Sequence, residues 1–273
     1  MNKRIAKLLG LASAMAMLVV SPAYADETVS VQTEITGSVL TEGYLETDKT
    51  SLRKGDPQQV NIHYYLYTPA NAQENMPLIV YLHSAVPKSG TMDKIKDEDM
   101  VTYLLDGGKD SVPAYVLMPY ISVPDWGWKA YAEALPVLIE DVVNTYKIDR
   151  NRISITGWSM GATNLASVVE QSPDLFSCAV FLSGYASMER MDVSDAYVMS
   201  KIPCWFLYEA EGTAKKNCED AAEEIRRAGG IAYTTEVPGV NHETFLVFDG
   251  GKSDIYGVID WMVEQRKQPE TTE

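Results

Sequence analysis

Hydrophobic and polar positions along this chain change period in an orderly way. From about residue 28 to 68 they alternate, as in "TVSVQTEITGSVL" and "QQVNIHYYLYTPA", with Gly-rich or charged breaks between. A period of two predicts two or three antiparallel strands at a sheet edge. Continuous apolar or β-branched runs follow: 78–82 (LIVYL), 114–119 (AYVLMP), 152–157 (RISITG), 178–184 (CAVFLSG), 203–208 (PCWFLY) and 231–237 (IAYTTEV). Such runs suit parallel strands buried on both faces. Between them the spacing shifts to three and four residues, which predicts helices over 131–148, 162–172, 218–230 and 254–267. The third of these ends in Gly229-Gly230, a helix stop. Alternating strands and helices predict an α/β fold: a doubly wound, mostly parallel sheet with antiparallel N-terminal edge strands.

The first 25 residues read differently. They open with Lys3, Arg4 and Lys7, continue apolar from about Leu8 to Val20, and close with Ala23-Tyr24-Ala25. A basic start, a short apolar run and a small-x-small end predict a cleavable signal peptide cut near Ala25-Asp26, hence a secreted or periplasmic protein. The apolar run is short for a membrane span. Residues 26–268 then read as one domain, with 269–273 as a frayed tail. A hydrophobic fraction of 46% is enough for a sizeable core.

Charge and cysteine content mostly exclude. The net charge is −15, and removal of the three basic leader residues takes the remainder to about −18. That disfavours nucleic acid and anionic membrane as partners, because phosphate binding needs basic patches. Cys178, Cys204 and Cys218 are odd in number and lack metal-ligand spacing. No disulfide, metal or cofactor is expected.

The candidate chemistry lies in Gly157-Trp158-Ser159-Met160-Gly161, between a strand and a helix. In a doubly wound sheet, functional groups gather at the carboxyl ends of the strands. A strand that turns this sharply into a helix presses the residues two before and two after the serine together, so glycines relieve the clash. The turn exposes the hydroxyl and presents backbone N–H groups at the helix start. Ser159 is therefore a candidate nucleophile, and it needs a base. The chain has three histidines. His63 falls in the early antiparallel strands and His83 ends the first core strand. In hydrolases built this way the order is serine, acid, histidine, which leaves His242 in "VPGVNHETF". The acid is expected after 203–208, in Tyr208-Glu209-Ala210-Glu211-Gly212. Glu211, further out on the loop, is the first choice, and Glu209 the alternative. The aspartates of "MDVSDAY" (191–197) read as a solvated loop.

These segments resemble the α/β-hydrolase esterases near the prolyl-oligopeptidase-like and secreted depolymerase/feruloyl-esterase groups. The likeness runs over roughly residues 60–265 through "YLHSAVPKSG", "VLMPYISVPDWGW", "YKIDRNRISITGWSMGA", "SPDLFSCAVFLSG" and "GVNHETF". It implies an oxyanion hole from the backbone N–H of Met160 and of Ser84, or its neighbour Ala85. It also implies a substrate pocket lined by Trp126 and Trp128, for which core packing is the alternative. The chain departs from the pattern where His83-Ser84 replaces His-Gly and where Ala162 replaces a glycine. The combined expectation is a serine hydrolase that cleaves carboxylic esters of small molecules or short acylated substrates through an acyl-enzyme. The alternatives are a peptidase acting on short peptides, and an exported binding protein that kept the fold without the chemistry.

Overall fold

The computed structural model describes residues 32–35, 37–50, 59–88, 90–122, 127–184, 193–211, 214–242 and 245–267. The expected signal peptide and the frayed tail lie outside the described residues.

In chain order the strands are β1 (Gln32–Ile35), β2 (Ser38–Thr50), β3 (Gln59–Thr68), β4 (Leu78–Leu82), β5 (Tyr115–Tyr120), β6 (Ile153–Trp158), β7 (Cys178–Leu182), β8 (Cys204–Glu209) and β9 (Ala232–Val237). The helices are α1 (Ala85–Lys88), α2 (Asp99–Leu105), α3 (Leu135–Tyr146), α4 (Met160–Thr163), α5 (Leu165–Gln171), α6 (Val193–Met199), α7 (Ala214–Arg227) and α8 (Val258–Glu264). Among the described residues the strands form one nine-stranded sheet in the order β1-β2-β3-β5-β4-β6-β7-β8-β9. Pairs among β1, β2, β3 and β5 are antiparallel, and from β5 onward every pair is parallel. The doubly wound sheet with antiparallel N-terminal edge strands is thus observed.

The core runs explain themselves in this arrangement. Leu78, Val80 and Leu82 of β4 face one apolar layer with Leu138 and Ile139 of α3, Val168 of α5 and Ile225 of α7. Ile79 and Tyr81 face the opposite layer with Met100, Val101 and Leu104 of α2 and Val258 and Met262 of α8. A strand covered on both faces must be apolar at every position. Phe181 and Phe206, on neighbouring β7 and β8, stack with centroids 4.3 Å apart.

Three local expectations change. The helix expected over 162–172 is broken into α4 and α5 at Asn164, which has φ −97° and ψ 0°. The Asn164 Oδ1 accepts the N–H of Trp128 at 2.9 Å, a tertiary bond that local periodicity cannot reveal. The segment read as a solvated loop carries α6, with Ala196 and Met199 fully packed. Helix α2 had no counterpart in the sequence reading, and its Met100, Val101 and Leu104 are buried. All three cysteines are free and buried, and burial pushes their thiols far up, which keeps them unreactive. Among the described residues no helix is long and apolar enough to cross a membrane, and no group of three or more His, Cys, Asp or Glu could hold a metal ion.

Candidate active site

Ser159 follows β6 directly, with φ 53° and ψ −110°, a strained backbone for a residue with a Cβ. The flanking glycines answer two separate crowding problems. A Cβ on Gly157 would lie 2.6 Å from the Gly161 carbonyl carbon, so these two positions do press on each other. A Cβ on Gly161 would lie 1.9 Å from the Leu82 carbonyl oxygen of β4, the harsher contact. The Ser159 N–H donates to the Leu182 carbonyl of β7 at 3.0 Å, which ties the turn to the next strand.

His242 sits in the loop after β9, and its Nε2 is 2.8 Å from Ser159 Oγ. Its side chain is 41% exposed, so the pair opens to solvent. The other two histidines take no part in this pair. His63 is exposed on β3 against the Tyr44 ring. His83 is fully buried: its Nε2 accepts the Ile121 N–H at 3.1 Å, which assigns the remaining proton to Nδ1, 2.6 Å from the Ser84 carbonyl.

The structure brings Glu209, not Glu211, to His242. Glu209 is the last residue of β8, its side chain only 2% exposed, with Oε1 3.7 Å from His242 Nδ1. That separation suits an ion pair and is too long for a hydrogen bond. Its Oε2 accepts the Ser183 hydroxyl at 2.6 Å, and the same Ser183 Oγ is 2.7 Å from His242 Nδ1. Burial pushes the Glu209 carboxyl up, but the facing groups of His242 and Ser183 outweigh burial and hold it below its usual value. Glu211 lies two residues beyond the strand and is exposed. Strand geometry accounts for the difference. The β8 register against β9 pairs Glu209 with Val237, so the carboxylate ends the strand level with the loop that carries His242. Ser183 was missed by sequence reasoning. The available signal was a serine one residue past a parallel strand, at the same sheet edge as the elbow.

The two implied oxyanion donors also part company. Met160 begins α4, directly after Ser159. The Ser84 N–H instead donates to Glu98 Oε1 at 2.9 Å, and the Tyr81 hydroxyl donates to Glu98 Oε2 at 2.6 Å. Ser84 is therefore committed to a buried carboxyl and not free for a substrate oxygen. The reason is Glu98, 3% exposed just before α2, a residue that the local sequence around Ser84 does not announce. Burial pushes Glu98 up to about 7, against the opposing hydrogen bonds from Ser84 and Tyr81.

Trp128 is fully buried and takes the packing role. Its Nε1 donates to the His83 carbonyl at 2.9 Å, and its ring meets the His83 imidazole edge-on at 4.8 Å. It braces the end of β4 against the elbow and does not line an open pocket. Trp126 lies outside the described residues. The Asp149–Arg152 pair of "IDRNRIS" is likewise structural: Arg152 binds Asp149 at 2.9 Å and the Asn75 carbonyl at 2.5 Å, which fixes the entry into β6.

This sheet, with its serine elbow at the strand ends and a histidine on the serine, is the α/β-hydrolase fold. Solved structures agree in fold. A thermostable esterase superposes with a TM-score of 0.57 at 23% identity, over 82% of this chain and 63% of its own. An esterase from Pseudomonas putida ECU1011 gives 0.58 at 12% identity, over 85% and 82%. A ferulic acid esterase gives 0.56 at 13% identity, over 83% and 98%. Residues 125–247 match the prolyl oligopeptidase family, a span that holds Ser159, Ser183, Glu209 and His242. No curated protein matches the chain by sequence. The fold is therefore that of the α/β-hydrolases, and the family match lies over the segment that carries these side chains.

Proposed function

We propose that this protein is an exported carboxylic ester hydrolase that works through an acyl-enzyme on Ser159. The observation that carries the reading is the 2.8 Å contact between Ser159 Oγ and His242 Nε2 at a strained strand-to-helix turn. Nucleophile and base within hydrogen-bond reach, with the base backed by a third group, are the parts that such chemistry needs. As Oγ attacks the ester carbonyl carbon, His242 Nε2 takes the hydroxyl proton. The Met160 N–H is assigned to the developing oxyanion, with the Ala85 N–H as second donor because Ser84 is engaged. Collapse of the tetrahedral intermediate expels the alcohol, which His242 protonates. Water, activated by the same imidazole, then releases the acid and frees Ser159. Glu209 supports the imidazolium that forms at each proton transfer.

Export rests on the basic, apolar, small-x-small order of residues 1–25. Small-molecule ester substrates rest on the likeness to esterases. The family match favours one second reading, cleavage of short peptides, because the same groups attack amides.

A fluorophosphonate probe tests the chemistry: labelling is expected in the parent chain, lost in Ser159→Ala and weakened in His242→Ala. A folded parent protein that takes no label overturns the proposal. Turnover of p-nitrophenyl acetate without turnover of aminoacyl amides supports the ester reading, and the reverse supports the peptide one.

A further inference from the structure

Between the base and the acid stands a hydroxyl that the reaction as written does not use. Ser183 directly follows β7, is fully buried and has a φ of 45°. Its N–H donates to the Leu207 carbonyl of β8 at 2.8 Å, which holds it level with the end of that strand. A glycine would meet this φ without strain, yet the position carries a hydroxyl pinched between two charged or chargeable partners. Oγ lies 2.6 Å from Glu209 Oε2 and 2.7 Å from His242 Nδ1, whereas carboxylate and imidazole stand 3.7 Å apart.

The proton inventory decides the direction of these bonds. A hydroxyl has one proton to give, and an ionised carboxylate can only accept. The Ser183 proton therefore goes to Glu209, and its lone pair accepts the proton on His242 Nδ1. With Nδ1 protonated, Nε2 keeps the lone pair that faces Ser159 Oγ at 2.8 Å. We infer that Ser183 is a positioning residue: its hydroxyl relays the Glu209 carboxylate to His242 and selects the imidazole tautomer that can accept the Ser159 proton. The site is then a chain of four side chains, Ser159–His242–Ser183–Glu209, in which the acid reaches the base through an intervening oxygen. This deepens the ester-hydrolase reading and rests on it.

The experiment compares Ser183→Ala, Ser183→Gly and Glu209→Gln, singly and as the Ser183→Ala/Glu209→Gln pair, on p-nitrophenyl acetate. Each single change is expected to lower kcat about 100-fold with KM within about threefold, since general-base support is lost and substrate binding is not. The double variant should be no slower than the worse single one, because both break the same chain. A Ser183→Ala enzyme within about threefold of the parent, or a double loss equal to the product of the singles, overturns the inference. The parent protein supplies a check that needs no variant. The His242 Nδ1 proton should show a stronger NOE to the Ser183 β-protons than to the Glu209 γ-protons, and the opposite order also overturns it. If the parent takes up no fluorophosphonate, the ester-hydrolase reading fails. If it labels and the Ser183 variants match it in rate, only the relay fails.

Discussion

Replacing Glu98 by Gln should flatten the pH dependence of folding stability between about pH 5 and pH 8. Glu98 is buried, and its carboxyl is carried from an ordinary 4.5 up to about 7, chiefly by burial. The folded chain thus holds this proton more tightly than the unfolded chain does. Stability that depends on the neutral form is greatest at low pH and falls as the pH rises from about 4.5 to about 7. At 1.36 kcal/mol per tenfold change in proton affinity, the whole swing is about 3 kcal/mol, and most of it falls between pH 5 and pH 8. Gln keeps a carbonyl for the Ser84 N–H and has nothing to ionise. It forces Tyr81 to accept where it now donates, at a cost of about 1 kcal/mol that does not vary with pH. Asp99, next in the chain, is also pushed up by burial, and its contribution is common to both proteins. Urea unfolding at pH 5, 6, 7 and 8 reads the difference. The parent should lose about 2–3 kcal/mol more than Glu98→Gln over that range. Parallel stability curves for the two proteins would refute the reasoning.

Other outcomes follow from the same geometry. Gly161→Ala drives a methyl into the Leu82 carbonyl, a backbone atom in mid-sheet; calorimetry should show a loss of at least about 3 kcal/mol, roughly 10 °C in Tm. Glu211→Gln should leave kcat on p-nitrophenyl acetate within about threefold of the parent, while Glu209→Gln lowers it about 100-fold; equal effects would return the acid to an open question. Trp128→Phe removes the donor to the buried His83 carbonyl and should cost about 1–3 kcal/mol in urea unfolding. Mass spectrometry of the protein recovered after export should find Asp26 at the new N-terminus, and an intact Met1 would refute the cleavage.

What could be read from the chain alone was whatever is set within a few residues. The apolar runs of β4 to β8 are continuous because helices cover both faces, and that condition leaves its mark on every residue of the strand. The elbow is legible because a strand-to-helix turn crowds the chain against itself, and only glycine relieves the contact at 157 and 161. His242 followed by elimination among three histidines, and the structure sets it on Ser159. Short α6 and α2 escaped notice because seven residues offer too few turns for periodicity to register.

The remaining assignments depend on contacts between residues far apart in sequence. Glu209 and Glu211 differ by two positions and carry the same group. Their separation into a buried carboxylate beside His242 and an exposed one comes from where β8 stops against β9. Ser84 looked like a free amide until Glu98, fourteen residues on, folded under it. Trp128 looked like a pocket wall until its indole N–H met the His83 carbonyl, forty-five residues away. Ser183 meets its two partners only when three strands end level with one another. Sequence alone pointed to the sheet, the elbow and the histidine that meets it at 2.8 Å, because steric crowding and burial act locally. Tertiary structure decided which carboxylate, which amide and which hydroxyl surround that pair, because hydrogen bonding at 2.6–2.9 Å depends on strand register and loop path.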